Sequence, residues 1–275
     1  MQFHFPLMPI EEIPLWGSAD SPSLHWFGLT FGWFWIEIDG QELFRYTQAV
    51  LNHWARDYPG ASFALPYEDY QLARDWEDML DMLPAILDPL PQDIALQVAD
   101  GPIWERRYRQ AYEWQRQEED DTTAWETYYT AFSWWGQRHW NASHLVHPPR
   151  LWLWRVGDHV HARWDNRGIV LEGIPVWEAQ QGEAIVPVSE FLAAVETFHT
   201  QFLTAMEQRV EAIRAAPPPG VTIDCAQLQH EQQDRFGWLA TALAPSAREA
   251  RREFSWEETR AALSTIAHRI GHNAP

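Results

Sequence analysis

The residues best suited to chemistry stand in one block, Pro66-Tyr67-Glu68-Asp69-Tyr70 followed by Arg74, Trp76, Glu77 and Asp78. Paired carboxylates beside a guanidinium are the groups that acid-base work, or the capture of a small polar ligand, requires. With His25 brought alongside, the candidate polar cluster is His25, Tyr67, Asp69, Arg74, Glu77 and Asp78. The same spacing has a structural reading, in which Asp69 caps a helix, Arg74 reaches a carboxylate one turn away and Trp76 packs inward. Function needs these groups to line an open pocket, whereas scaffolding needs them mutually satisfied and closed to solvent.

Histidines gather at His139, His144 and His147 and again at His159 and His161. In a strand, His159 and His161 point the same way, and with Asp165 close by they are the metal candidates that the spacing offers. No further ligand pattern accompanies them, so the expectation is no metal and no cofactor. His230-Glu231-Gln232-Gln233-Asp234 sets two donors at i and i+4 of a helix whose surroundings are polar.

Nucleophile and phosphate signatures are missing: there is no Gly-x-Ser-x-Gly elbow, no G-x-G-x-x-G and no P-loop. The single cysteine, Cys225, cannot form an internal disulfide, a four-cysteine zinc site or an iron-sulfur cluster. All 20 basic residues are arginine, which removes Schiff-base chemistry and the lysines of P-loop enzymes and protein kinases. Such a composition fits the codon usage of a GC-rich genome.

Tryptophan is the compositional outlier, with 18 copies. Arginine-tryptophan neighbours (Arg138 and Trp140, Trp154-Arg155, Arg163-Trp164) offer flat faces on which bases or sugars stack. The pairs Trp33/Trp35 and Trp152/Trp154 have the period of two that sends side chains to one sheet face, so core packing is the expected role.

Of the net charge of −19, residues 1–140 carry −15 and residues 141–275 carry −4; ten acids fall within 57–100 against the single Arg74. A field of this sign repels nucleic acid and anionic lipid and draws a basic protein. No run approaches the roughly 18 apolar residues that span a bilayer, and residues 1–12 lack the pattern of a secretory signal. The expectation is a cytoplasmic protein that binds neither nucleic acid nor membrane.

The elements that must position these residues are of both kinds. Residues 2–6 alternate, and runs at 24–30, 33–38 and 42–46, punctuated by Phe31-Gly32 and Asp39-Gly40, predict an antiparallel meander. Helices are expected near 47–57, 68–83 (closed by Pro84), after Pro91, near 102–119 and near 123–140. Strands return at 150–156 and 159–164 across Gly157-Asp158, with short ones near 168–172, 174–179 and 183–187. A long helix from 189 to 215 carries the stripe Phe191, Val195, Phe198, Phe202, Met206, Val210 and Ile213, and ends at Pro217-Pro218-Pro219-Gly220. A helix near 225–243 and a last one from Ser255, with a capping box at Glu258, complete the chain.

The blocks Pro14-Leu15-Trp16-Gly17, Leu24-His25-Trp26-Phe27-Gly28-Leu29-Thr30, Trp35-Ile36, Glu42-Leu43, Tyr67 to Asp78, Pro217-Pro218-Pro219-Gly220-Val221 and Trp238-Leu239 resemble an uncharacterised bacterial family, commonest in actinomycetes, known as a domain of unknown function. Phe31 stands where that family's pattern has an acidic residue. The resemblance covers most of the chain, implies one intact domain and a GC-rich bacterial source, and brings no activity with it.

The expected fold is α+β, a single domain over 1–275 in which antiparallel sheets are packed by several amphipathic helices. The leading functional expectation is a cytosolic acidic protein-binding module, an immunity or antitoxin-like inhibitor of a basic partner. The alternative is an enzyme of unrecognised type acting on a small ligand in a cleft near Asp69 and His25. A dimer through the 189–215 helix follows if Phe198 and Phe202 are exposed.

Overall fold

A computed structural model describes residues 1–57, 64–118 and 121–272. The chain runs β1 (Gln2–His4), β2 (Trp16–Ser18), β3 (Ser21–Ser23), β4 (Phe31–Ile38), β5 (Gln41–Leu43), α1 (Gln48–Asp57), β6 (Glu68–Gln71) and α2 (Ala73–Leu87). It continues through α3 (Gln92–Ala99), α4 (Gly101–Gln117), α5 (Thr122–Gly136), β7 (Leu151–Val156), β8 (His159–Asp165), β9 (Val170–Leu171), β10 (Ile174–Pro175) and β11 (Gln181–Pro187). Five helices close it: α6 (Val188–Ala215), α7 (Cys225–Arg235), α8 (Trp238–Leu243), α9 (Pro245–Arg251) and α10 (Trp256–His272). All strand pairs are antiparallel and helices pack on them, so the fold is α+β.

In the first sheet β4 is the shared strand, paired with β1, β5 and β6. Asp39 and Gly40 take φ of 51° and 71°, the left-handed pair that closes a tight hairpin between β4 and β5. The meander expected at 24–46 is otherwise replaced. Residues 28–30 form a 3-10 turn, with Leu29 N–H donating to His25 O and Thr30 N–H to Phe27 O, and Phe31-Gly32 lies inside β4 rather than in a turn. Gly32 serves close approach: a Cβ there would stand 2.5 Å from the Pro6 carbonyl oxygen, whose bond from Trp33 N–H (3.0 Å) ties residues 6–8 to β4.

The second sheet has the order β11-β8-β7, and Gly157 at φ 56° makes its hairpin. Its strand β7 is buried on both faces. Leu151 and Leu153 enter the larger core with Val160, Ala162 and Trp164, while Trp152 and Trp154 enter a smaller core with α3, α4, α5 and α10. Period-two alternation thus splits one strand between two cores.

The stripe of α6 is buried along its whole length, Phe191 through Ile213. Phe198 stacks on Phe3 of β1 (5.3 Å), and Phe202 meets Trp26 and Trp76 at 6.1 and 5.6 Å. The stripe therefore lies across a sheet within one chain and offers no exposed dimer face.

Four helix boundaries differ from expectation for local reasons. The segment expected as helix from 68 is first the strand β6, since residues 68–71 pair with Phe31–Phe34 of β4. Pro84 lies inside α2, which continues to Leu87 because Ile86 and Leu87 are buried and Asp88 N–H still finds Pro84 O. The 225–243 segment breaks at Phe236-Gly237, and α9, opened by Pro245 at its first position, was not anticipated. Helix α5 stops at Gly136, so that Trp140 N–H can reach Leu151 O (2.8 Å); residue 119, the expected end of the preceding helix, lies outside the described residues. The Ser255-Glu258 capping box forms reciprocally, at 2.8 and 3.2 Å.

Phe202→Ala should cost about 3–5 kcal/mol in urea unfolding, because the ring is fully buried in the larger core. Ile185→Ala, at a side chain 60% exposed, should stay within about 0.5 kcal/mol.

Candidate functional site

The start of α2 is fixed from outside the helix. Leu72 N–H donates to Thr30 O (2.9 Å) and Ala73 N–H to Thr30 Oγ1 (3.2 Å), so a threonine on the 3-10 turn does the capping expected of Asp69. Asp69 instead sits in β6 opposite Trp33. This junction between β6 and α2 places Glu68, the first residue of the strand, near Asp75 in the first turn of the helix. Asp78 follows one turn later on the same face.

The third partner arrives from far along the chain. After α5 the segment to β7 is held by Trp140 on β7 and by His147 O, which accepts from Trp177 Nε1 (3.0 Å). That anchoring delivers His144 to the cluster, where its Nε2 lies 2.8 Å from Glu68 Oε1 and its ring stacks on Tyr70 at 4.6 Å. Trp140 Nε1 donates to Asp75 Oδ1 (3.3 Å). Donor atoms of Glu68, Asp75 and His144 all lie within 4.8 Å of one another. Glu68 and Asp75 are 0% and 1% exposed, so this is a buried centre.

Among the described residues no arginine makes an ion pair with this centre; Arg74 acts on Asp78 and His144 only through space. Burial, reinforced by the charges of Asp69 and Asp78, raises the Glu68 carboxyl to about 8. Burial and then Glu68 push Asp75 well above the carboxylate range, against the opposing pull of His144 and of the Trp140 bond. Asp69 and Asp78 rise to about 6, chiefly by burial, and burial lowers the His144 imidazole. Three carboxylate oxygens, Glu68 Oε2, Asp75 Oδ2 and Asp78 Oδ2, are buried with no hydrogen-bond partner among the described residues. Unpaired buried acceptors of this kind are costly and call for a proton or a cation.

The six residues singled out in the sequence are not all brought together. Asp69 and Asp78 border the centre. Arg74 is exposed with its guanidinium over the Phe27 ring (5.1 Å), and its charge is felt by Glu77 and Asp78 without an ion pair among the described residues. Tyr67 is turned to Glu42, to which its hydroxyl donates (2.9 Å), and stacks on Trp35. Glu77 pairs with Arg235 (3.7 Å), a guanidinium lying over Trp26. His25 accepts from Gly28 N–H and packs on Trp16; no contact joins it to Asp69.

Of the other candidates, His159 is exposed, His161 stacks on Trp154, and Asp165 is held by Arg167. His230 is exposed, and Glu231 binds Arg235. Glu68, Asp75 and His144 were each visible as residue types, but His144 is separated from Glu68 by 76 positions, a pairing no local spacing reveals.

A family model described as "Family of unknown function (DUF5984)" matches residues 2–262. The chain belongs to this family. No curated protein and no solved structure matches it. Among the described residues of this DUF5984 member, no helix is long and apolar enough to cross a membrane.

Protonation of Glu68 makes stability depend on pH. Between the ordinary value of 4.5 and about 8 the unfolded chain gives up this proton and the folded chain keeps it. The folded state then binds more protons, so stability falls as pH rises through that window. In chelator-treated buffer, Glu68→Gln should make the fall in unfolding midpoint shallower and leave the variant above wild type at the alkaline end. An unchanged slope would assign the effect to other groups.

Proposed function

We propose that the protein binds a divalent transition-metal ion between Glu68, Asp75 and His144, with Asp78 at the edge of the site. The observation that carries this reading is that two ligand oxygens of the cluster, Glu68 Oε2 and Asp75 Oδ2, are buried without a hydrogen-bond partner, with no arginine ion-paired to either carboxylate among the described residues. Two carboxylates and one imidazole are a donor set suited to manganese, iron or zinc. With metal-donor bonds of about 2.0–2.2 Å, neighbouring donors stand about 3 Å apart and opposite ones about 4.2 Å; the donor atoms here lie within 4.8 Å of one another, so binding would draw them slightly together. Trp140, donating to Asp75, orients that ligand from the second layer, as outer partners of metal sites do. The ion would supply the missing positive charge and a Lewis-acid centre beside Asp78.

The test is thermal unfolding of chelator-stripped protein with Mn²⁺ or Zn²⁺ added. At a hundredfold excess over Kd, one-site binding stabilises by about 2.7 kcal/mol, a rise of several degrees. The rise should grow as pH increases, because the ion displaces protons. Asp75→Asn keeps an acceptor for Trp140, removes the cost of holding the buried carboxyl protonated and should raise the metal-free midpoint while abolishing the response to metal. No response in wild type, or an equal response in Asp75→Asn, would sink the reading.

A second reading keeps the acidic docking role for a basic partner, of the immunity or antitoxin kind. It is favoured by an open groove of about 860 Å³ between α2, α8 and α9, lined by Glu77, Asp78, Asp81 and Asp234 around Trp238, with Arg251 as its basic residue. An arginine-rich peptide should bind there with an affinity that falls steeply with salt, and Asp234→Asn should weaken it. Binding indifferent to both would remove this reading. The enzymatic alternative at Asp69 and His25 has no support from their placement. Lysine-free composition and a lone cysteine support reading the chain as a cytoplasmic bacterial protein.

A further inference from the structure

A second region has the opposite sign. Two adjoining depressions, of about 560 and 710 Å³, share Glu105, Arg109 and Trp152 and run from the start of α4, past β8 and β11, to the segment before β7. Five arginines (Arg106, Arg109, Arg150, Arg163 and Arg167) line them against three acids (Glu105, Asp165 and Glu183), a local net charge of +2 in a chain of −19.

The excess charge is available. Arg163 is held by Glu183 and by the carbonyls of Val98 and Ala99, and Arg167 grips Asp165 with two bonds of 2.9 and 2.6 Å. Arg106, Arg109 and Arg150 are exposed and, among the described residues, make no ion pair. The larger depression adds aromatic surface from Tyr112, which is 44% exposed, and the half-buried Tyr108, over a floor of the buried, mutually stacked Trp135 and Trp152, rimmed by Val146 and Val170, which are 90% and 45% exposed. Trp135 and Trp164 line the two depressions with their indole N–H groups buried and without acceptors among the described residues. Glu105, which lines both depressions, likewise has a buried oxygen, Oε1, without a partner among the described residues.

We propose that this cleft binds a mononucleotide: its phosphate between Arg109 and Arg150, its base against the aromatic surface, and its ribose hydroxyls toward Glu105. Guanidinium forks match phosphate oxygens in pairs and need no P-loop lysine, which this chain lacks. Aromatic faces accept any base by stacking. A volume of this order suits a small ligand. The cleft shares no residue with the Glu68–Asp75–His144 centre, so the inference stands apart from the metal reading.

The experiment titrates the full chain with adenosine monophosphate, adenosine or inorganic phosphate, following tryptophan fluorescence and heat. Adenosine monophosphate should saturate and bind at least about tenfold more tightly than either fragment. Arg109→Gln and Arg150→Gln should each weaken it by about tenfold while leaving the unfolding midpoint unchanged, because both side chains are exposed. Asp234→Asn, in the acidic groove, should leave it unaltered. Absence of saturation at millimolar nucleotide, equal affinity for adenosine monophosphate and a fragment, or full affinity in both glutamine variants would overturn the proposal. Tighter binding of a single-stranded decanucleotide than of the mononucleotide would also overturn it, in favour of a strand-binding surface.

Discussion

Burial of β7 on both faces is the constraint from which the rest of the architecture follows. Leu151, Trp152, Leu153 and Trp154 are all at most 9% exposed, two for each core. A strand so enclosed must satisfy its backbone through its neighbours. It does so with β8 on one side and, on the other, with bonds from Trp140 N–H to Leu151 O and from Leu153 N–H to Arg138 O. Those two bonds pull residues 138–140 out of helix α5 and aim the following segment toward the first sheet. His144 reaches Glu68 because Trp140 is pinned to β7.

Polar groups inside this framework show two ways of tolerating burial. Arg138 is 2% exposed and donates to Trp134 O and Asp88 O, spreading its charge over carbonyl dipoles. The carboxylates of Glu68 and Asp75 have no such complement of donors, since among the described residues they receive between them Trp140 Nε1 and whatever His144 shares. Asp75 gains a little from its place in the first turn of α2, where the helix dipole favours negative charge. A structural ion pair would have put an arginine beside them; Arg74, one residue from Asp75, turns outward onto Phe27 instead. The two buried carboxyls are left to be neutralised by protons or by the ion proposed above.

Legibility in the sequence followed the range of the interaction that decides each feature. Asp39-Gly40, Gly157-Asp158, the stripe of α6 and the Ser255-Glu258 box are settled within a few residues, and all four are as the residues imply. The strand β6 is decided by β4, more than thirty positions away, so a stretch with helical spacing reads as helix until its partner is known. The buried centre needs β6, α2 and the segment after α5 at once. Tyr67, bridged to Arg45 just before β6, and Glu68, the first residue of β6, are neighbours that point apart, so one turns to Glu42 and the other to His144; a shift of one residue would exchange them.

Charge counted along the chain is not charge arranged in space. The half-chain with net −15 supplies three of the four acids of the α2–α8–α9 groove, Glu77, Asp78 and Asp81, yet it also supplies Arg106 and Arg109 of the basic cleft. Exclusive use of arginine bears on both regions. Burial lowers the Arg138 guanidinium only to about 10, which leaves it charged at neutral pH. The same desolvation acting on a lysine, whose ordinary pKa is about 10.4, would carry it toward neutrality. A single ammonium nitrogen would also lack the planar fork that lets Arg138 reach two carbonyls and Arg163 reach Val98, Ala99 and Glu183 together. Whatever its genomic origin, the absence of lysine fits a fold whose cations must stay ionised while packed among indole rings.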